Sequence, residues 1–320
     1  MSENTYKSVP EGAFCSQEQL IHMRFQAQNL KLLQRKKALS LLTGPNKTSF
    51  RGRGIDFDEV RRYQPGDDIR TIDWRVTARS GKAHTKLFRE ERERPLLIVT
   101  DQRTSMFFGR RSCFKSVTAA HIAALLAWSG LQNGDRVGGL VFNEQGHTEI
   151  RPRRSRQAVL AQLHHIAGYN QDLPLNSVVD GSRFEFVDLM SDLRHIAKPG
   201  TAIFIISDFS GAEEKRVYEH LYQLSQHAEV TAIHVSDPLE AELPPSGNYI
   251  VTNGQLRSGL FTGDKQLRGH YHADYQQRIQ SIQSGFSRVG VPFIDITTEQ
   301  SPLAVLQTFY GKAERQVRRQ

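Results

Sequence analysis

From Pro95 onward, apolar runs of strand length alternate with segments of helical periodicity, and this alternation restricts the fold more than any other feature. The runs at 96–101, 202–208 and 230–237 are apolar almost throughout, which is typical of strands buried on both faces. Strands that alternate with helices pair mainly in parallel and are covered by helices on both sides. The sequence therefore predicts an α/β fold with a doubly wound, mainly parallel sheet.

The predicted elements of this domain follow one another along residues 95–311. Strands are expected at 96–101, 136–142, 147–152, 202–208, 230–237 and 293–297. Helices are expected around 112–131, 155–167, 184–197, 213–227, 265–288 and 301–310. An irregular stretch precedes the helix at 265, and residues 312–320 form a basic tail.

Residues 1–94 are predicted to form a separate N-terminal part, made of one helix and a small arm of loops and short strands. Leucine and methionine recur at helical spacing from Ser16 to Leu42, and lysines and arginines occupy many of the other positions. Gly44 and Pro45 end this helix. Its apolar face predicts docking against the domain, and its basic face leaves peripheral contact with a membrane surface open.

Composition excludes few classes of function. A net charge of +8 and a pI near 9.5 permit an acidic partner, nucleic acid or an anionic membrane without selecting one. Cys15 and Cys113 lie far apart, which argues against a zinc site or a disulfide framework. The N-terminus lacks the apolar core of a signal peptide, and no apolar run reaches about 18 residues. We therefore expect a cytoplasmic protein without a transmembrane segment.

The segment 51–91 is dense in charge, yet large apolar residues interrupt it at intervals. Gly52 and Gly54 lack the third glycine and the preceding strand of a dinucleotide-binding loop. The charged side chains of this arm could be catalytic, could recognise a partner, or could form a salt-bridged plug that fastens the arm to the domain. We favour the plug, with Tyr63 and Trp74 as its apolar anchors.

Two carboxylates stand at the ends of predicted strands, Asp101 after the first and Asp208 after the fourth. Ligands of doubly wound sheets bind beyond the carboxyl ends of the strands. If the two strands are neighbours, both aspartates face one crevice, together with the hydroxyls of Thr104, Ser105 and Ser210. Carboxylates and hydroxyls are ligands that suit Mg²⁺ or a similar hard cation.

Two patterns resemble known families. Asp101-x-x-x-Ser105 with the later Ser207-Asp208 is similar to the metal-ion-dependent adhesion site of von Willebrand factor A domains, and the order of elements from 96 to 310 is similar too. The segment 52–79 closely resembles the signature of a bacterial family of unknown function, number fifty-eight, which joins it to a von Willebrand A-like domain. The matching residues include Gly52, Gly54, Phe57, Arg61, Tyr63, Gly66, Asp67, Arg70, Asp73, Trp74 and Arg79. The resemblance implies a MoxR-type AAA+ ATPase as partner, because members are typically encoded beside one.

The chain departs from the adhesion-site pattern at Arg103, which stands where that pattern has its first serine ligand. A guanidinium cannot ligate a cation and adds positive charge beside it. Either Arg103 pairs with Asp101 or Asp208 and substitutes for the metal, or it points outward and a weaker Mg²⁺ or Mn²⁺ site survives. We favour weakened or lost metal binding. The threonine ligand of the pattern has no clear equivalent, although Ser182 lies in the right region.

The function favoured by these residues is a non-enzymatic protein-interaction module with a degenerate metal site. The family resemblance implies that it acts with the ATPase in assembly or maturation of other proteins. A metal-dependent hydrolase or nuclease is the first alternative, but no general base or nucleophile is evident near Asp101. Nucleic-acid binding is the second, through the exposed-looking cluster Arg151, Arg153, Arg154 and Arg156. The pair His270 and His272 is a weak metal candidate, because residues two apart on a helix point to different sides.

Overall fold

A computed structural model describes residues 9–28, 30, 55–64, 69, 72–90, 94–173, 184–252 and 257–310. The chain divides into a larger unit, formed by Met1–Leu39 with Arg94–Gln320, and a smaller unit, Ser40–Glu93. We predicted one N-terminal part, 1–94, and a separate domain from 95 onward. The described helical residues of the N-terminal part, Gln17–Ala27, belong to the larger unit.

The described strands are β1 (Ile55–Arg62), β2 (His84–Glu90), β3 (Pro95–Asp101), β4 (Arg136–Asn143), β5 (Gly146–Arg153), β6 (Ala202–Ser207), β7 (Glu229–Ser236), β8 (Asn248–Thr252), β9 (Arg257–Phe261) and β10 (Phe293–Thr297). The described α-helices are α1 (Gln17–His22), α2 (Arg24–Ala27), α3 (Trp74–Ser80), α4 (Lys115–Gln132), α5 (Arg156–Asp172), α6 (Phe186–Ile196), α7 (Lys215–Ser225), α8 (Pro238–Ala241), α9 (Lys265–Arg288) and α10 (Pro302–Tyr310). Within these residues, no helix is long and apolar enough to cross a membrane.

The larger unit is built on one six-stranded sheet in the order β10-β7-β6-β3-β4-β5. All neighbouring strands are parallel except β4 and β5, which form an antiparallel pair at one edge. The predicted mainly parallel sheet flanked by helices is therefore confirmed. The first strand of this sheet, β3, lies between β4 and β6, so the strand order reverses beside it. This is the position at which a ligand crevice is expected.

Helix α4 is buried along almost its whole length, because the sheet covers one side of it and the N-terminal residues cover another. The indole Nε1 of Trp128 donates to the carbonyl of Leu20, and Ser129 Oγ donates to the carbonyl of Leu30. The predicted docking of the N-terminal helix is confirmed for its described part. That part is two short helices, α1 and α2, separated at Met23, and residues 31–42 lie outside the described chain.

The smaller unit contains an antiparallel hairpin, β1 with β2, and the short helix α3. Asp73 caps α3 by accepting from the amides of Arg75 and Val76, and Gly81 ends it in the left-handed conformation. We predicted only loops and strands in this segment, so α3 is an addition. The side chain of Trp74, predicted as an apolar anchor, is 69% exposed. The signature residues Gly52, Gly54, Gly66, Asp67 and Arg70 lie outside the described chain.

Two glycines provide a matched test of packing beside the sheet. A Cβ added at Gly139 in β4 would collide with the carbonyl oxygen of Ile98 and would lie 2.7 Å from Gln162 Nε2. We expect Gly139→Ala to lower the free energy of unfolding by about 3 kcal/mol or more. Gly168 in α5 has nothing within 4 Å of its added Cβ, so Gly168→Ala should raise that free energy by about 0.5–1 kcal/mol. Urea unfolding of both variants measures the difference, and equal effects would contradict this packing.

Candidate functional site

The two predicted carboxylates meet at the carboxyl ends of neighbouring strands. Asp101 is the last residue of β3, and Asp208 directly follows β6, the strand paired with β3 in parallel. Asp101 is fully buried and Asp208 is 4% exposed. Ser207 Oγ donates to Asp101 Oδ2 at 2.6 Å and thereby links the two strand ends. The convergence expected from the sequence is confirmed, but at a buried position.

Arg103 points inward and forms a multiple ion pair with Asp101. Its Nη2 lies 2.7 Å from Asp101 Oδ2, and its Nε lies 3.1 Å from both carboxylate oxygens. The Arg103 backbone amide adds a fourth donor to Oδ1 at 2.9 Å. The remaining Nη1 donates to the carbonyl of Ser210. Of the two arrangements considered from the sequence, the structure has the paired one.

A second cation, Lys115, holds the other carboxylate. It is the first residue of α4 and is almost completely buried. Its Nζ lies 2.9 Å from Asp208 Oδ2 and 2.6 Å from Glu240 Oε1 on α8. Neither Lys115 nor Glu240 was predicted from the sequence as a site residue. The available signal was a single lysine at the start of an otherwise apolar helix, a position where burial requires an anionic partner.

The electrostatics of the site follow from this pairing. Burial alone would raise the pKa of Asp208, but the charges of Lys115 and Arg103 outweigh it and hold that pKa below its ordinary value. Burial raises the pKa of the Asp101 carboxyl, and the Arg103 guanidinium opposes the rise. Burial also disfavours charged Lys115, yet Asp208 and Glu240 together raise the pKa of its amine.

The residues present do not fit a divalent cation. Both oxygens of Asp101 already accept hydrogen bonds from Arg103, and Arg103 Nη2 also lies 3.7 Å from Asp208 Oδ1. A dication would have to enter beside two full positive charges, those of Arg103 and Lys115. Ser105 Oγ is buried without a hydrogen-bond partner, so this hydroxyl of the adhesion-site pattern is present but unused.

The other two predicted hydroxyl residues, Thr104 and Ser210, contribute hydrogen bonds from their backbone amides. The Thr104 amide donates to Glu144 Oε1 at 2.6 Å, and the Ser210 amide donates to Asp208 Oδ1 at 3.0 Å. Ser182 lies outside the described residues. Across the described ranges, which omit 174–183 and 253–256 among others, no group of three or more His, Cys, Asp or Glu residues could hold a metal ion.

The loop after β6 is held in a strained conformation by a buried aromatic cluster. Phe209 has a φ of 55°, in the left-handed region that large side chains rarely adopt. Its ring lies 4.9 Å from that of Phe286 and 5.8 Å from that of Phe186, and its amide donates to Ser207 Oγ. Strain of this kind persists only where the surroundings enforce it. The enforced turn places Asp208 and Ser210 against Arg103.

The weaker candidates are dispersed. His272 on α9 contacts the carbonyl of Ala241 through Nδ1, and the structure gives it no shared cation site with His270. The arginines of the cluster at 151–156 are exposed at the end of β5 and the start of α5, far along the sheet from Asp101.

Comparisons with known proteins give two kinds of similarity. The chain is 29% identical over 289 residues to the uncharacterized proteins Mb1516 of Mycobacterium bovis and Rv1480 of Mycobacterium tuberculosis, which covers 89% of this chain and 88% of each relative. Among solved structures, the conserved hypothetical protein BatB from Bacteroides thetaiotaomicron is similar with a TM-score of 0.40 and 15% identity, over 68% of this chain and 97% of that one. An aerotolerance-related membrane protein from Bacteroides fragilis gives a TM-score of 0.41 and 15% identity, over 67% and 97% of the two chains.

The family is shown by a match over most of the chain. The model of the family described as "Protein of unknown function DUF58" matches residues 59–280, which includes β3, β6 and both aspartates of the crevice. The chain therefore belongs to the DUF58 family of proteins of unknown function.

Proposed function

We propose that the chain is a non-enzymatic protein-interaction module whose crevice, formed by Asp101, Arg103, Lys115 and Asp208, is closed by internal ion pairs in place of a metal ion. One observation carries the proposal: each buried carboxylate of the crevice is already held by a cation of the same chain. A general base needs a carboxylate that can accept a proton from a substrate, and a catalytic metal needs an open coordination position. The ion pairs of the crevice favour neither a general base nor a catalytic metal. They support a role in protein recognition instead.

The partner we propose is a MoxR-type AAA+ ATPase, with a role in assembly or maturation of other proteins. This part rests on the family resemblance of the signature residues. Two exposed aromatic side chains support partner contact: Phe108 beside the crevice, 39% exposed, and Trp74 on the smaller unit. The ring of Phe108 lies 6.0 Å from Lys115 Nζ. Exposed aromatic residues of this kind carry a large share of the energy in protein interfaces.

A binding assay with a purified MoxR-type ATPase tests the proposal. We expect wild-type protein to retain the ATPase on an affinity resin, and Phe108→Ala and Trp74→Ala each to weaken the Kd about tenfold. Chelation with EDTA should leave the wild-type Kd unchanged, because the crevice is closed by Arg103 and Lys115 rather than by a metal ion.

Phe25→Ala and Tyr222→Ala are matched controls, since both remove exposed aromatic side chains elsewhere on the larger unit. Equal binding by all four variants would argue against the crevice and Trp74 as contacts. Loss of binding in EDTA would argue against a crevice that works without a metal ion.

A further inference from the structure

Five exposed arginines cluster at the β4–β5 edge of the sheet, at the end opposite the crevice. Arg136 begins β4, Arg153 ends β5, and Arg154 and Arg156 surround the start of α5. All four are exposed, as is Arg151 one position before Pro152. We call these five residues, Arg136, Arg151, Arg153, Arg154 and Arg156, the arginine face.

The arginine face is assembled by the fold and not by sequence proximity alone. Arg136 is the first residue of β4, and its Nη2 lies 3.4 Å from the carbonyl oxygen of Pro152. Arg154 lies beside Gly134, in the turn before β4. The antiparallel pairing of β4 with β5 sets Arg153 opposite Val137. Two segments that are distant in the chain thus present their guanidinium groups on one surface.

Acidic residues are few beside this face among the described residues, although Glu149, two residues before Arg151 on β5, is exposed. No acidic residue occurs from Ile150 to Gln171. The carboxylate of the neighbouring turn, Asp135, is 3% exposed and interacts with Arg94. The N-terminus of the 17-residue helix α5 adds the positive end of its dipole beside Arg154 and Arg156. The described residues of this surface therefore carry more positive than negative charge.

Protection of the edge strand β5 from pairing with other chains explains only some of these arginines. Charged residues and proline on an edge strand discourage pairing with other chains, and Arg151, Pro152 and Arg153 on β5 fit that role. Arg136, Arg154 and Arg156 lie outside this edge, so edge protection does not account for them. The choice of arginine at all five positions is also specific, because guanidinium groups bind carboxylates and phosphates in a bidentate manner that lysine cannot reproduce.

We propose that the arginine face binds an acidic segment of a partner protein, rich in Asp and Glu or phosphorylated. The face is compact and carries none of the large exposed apolar or aromatic side chains found elsewhere in the described residues. Binding to single-stranded nucleic acid uses stacking on aromatic rings, and binding to a duplex uses an extended stripe of contacts. A short cluster of carboxylates matches this face better. The face lies about six residues along the strands, roughly 20 Å, from Asp101 and is a second surface beyond the crevice.

The test uses a fluorescein-labelled peptide of eight glutamates, with a peptide of eight glutamines as its neutral counterpart. Fluorescence anisotropy at low salt should show binding of the glutamate peptide and none of the glutamine peptide. The double variant Arg153→Glu and Arg156→Glu should weaken the Kd at least tenfold. The single variant Arg156→Gln should weaken it about threefold and serves if the double variant folds poorly.

A matched control separates this surface from the net charge of the chain. The double variant Arg216→Glu and Lys215→Glu makes the same charge change at exposed positions on α7 and should bind the glutamate peptide as the wild type does. Equal weakening by both double variants would overturn the proposal, since bulk charge would then explain binding. A labelled 20-base-pair DNA duplex that binds more tightly than the peptide, and loses binding in the arginine-face variant, would also overturn it in favour of nucleic acid.

Discussion

Lys115→Met protein is expected to lose about 3–5 kcal/mol of unfolding free energy at pH 7, because the change leaves Asp208 and Glu240 without their shared cation in a buried site. Methionine keeps the volume and the unbranched shape of the lysine stem, so lost packing contributes little. Urea unfolding followed by circular dichroism measures the change. Lys215→Met on α7 is the control, since Lys215 is 91% exposed and forms only a surface pair with Glu219, and it should change stability by less than about 1 kcal/mol.

The pH dependence of this effect has a defined sign. The pKa of Asp208 is depressed in the folded chain, so its ion pairs stabilise the fold above the ordinary carboxyl pKa of about 4, and this contribution is lost as the pH falls further. The difference in stability between wild type and Lys115→Met should therefore be full at pH 7 and shrink below about pH 4. A loss below 1 kcal/mol at pH 7, or a difference that grows in acid, would contradict the buried pair.

Arg103→Ser should convert the crevice into a site that binds Mn²⁺. The substitution removes the guanidinium that covers both oxygens of Asp101 and supplies a hydroxyl, and Ser105 Oγ is already buried without a partner. Without metal, the variant should lose about 3–5 kcal/mol of unfolding free energy, because Asp101 is left buried without its cation. Mn²⁺ at a hundred times its Kd should restore about 2.7 kcal/mol. Thermal unfolding with and without Mn²⁺ measures this recovery.

Two comparisons make that result decisive. Arg103→Met removes the same charge but offers no oxygen ligand, so it should be destabilised equally and recover less with Mn²⁺. Wild-type protein should show no Mn²⁺-dependent change in Tm, because Arg103 and Lys115 hold the crevice. Micromolar Mg²⁺ or Mn²⁺ binding by the wild type in titration calorimetry, abolished in Asp208→Ala, would contradict a crevice closed by ion pairs.

The sequence predicted the sheet well because its strands are buried on both faces. The run 202–206 is apolar at every position, which is typical of a strand covered on both faces. The adjacency of Asp101 and Asp208 depended on strand order, which we could state only as a condition. The structure satisfies that condition through the pairing of β3 with β6.

The errors and omissions concern residues whose roles depend on distant contacts. Lys115 looks like the polar start of an apolar helix until β6 brings Asp208 to it from 93 residues away. Trp74 looks like an anchor by its size, but α3 leaves it exposed. Residues 238–241, in the stretch predicted to be irregular, form α8, and Glu240 of this helix contacts Lys115.

The residues matched by the family model are fewer than the residues needed to bury α4. The family match ends at residues 59 and 280, but the side chains that shield α4 include Leu20 and Leu30 before those limits and Leu303 and Leu306 after them. A fragment trimmed to the matched region would uncover an alanine-rich helix and remove the edge strand β10. Recombinant pieces intended for crystallisation or binding assays should therefore retain residues 9–310.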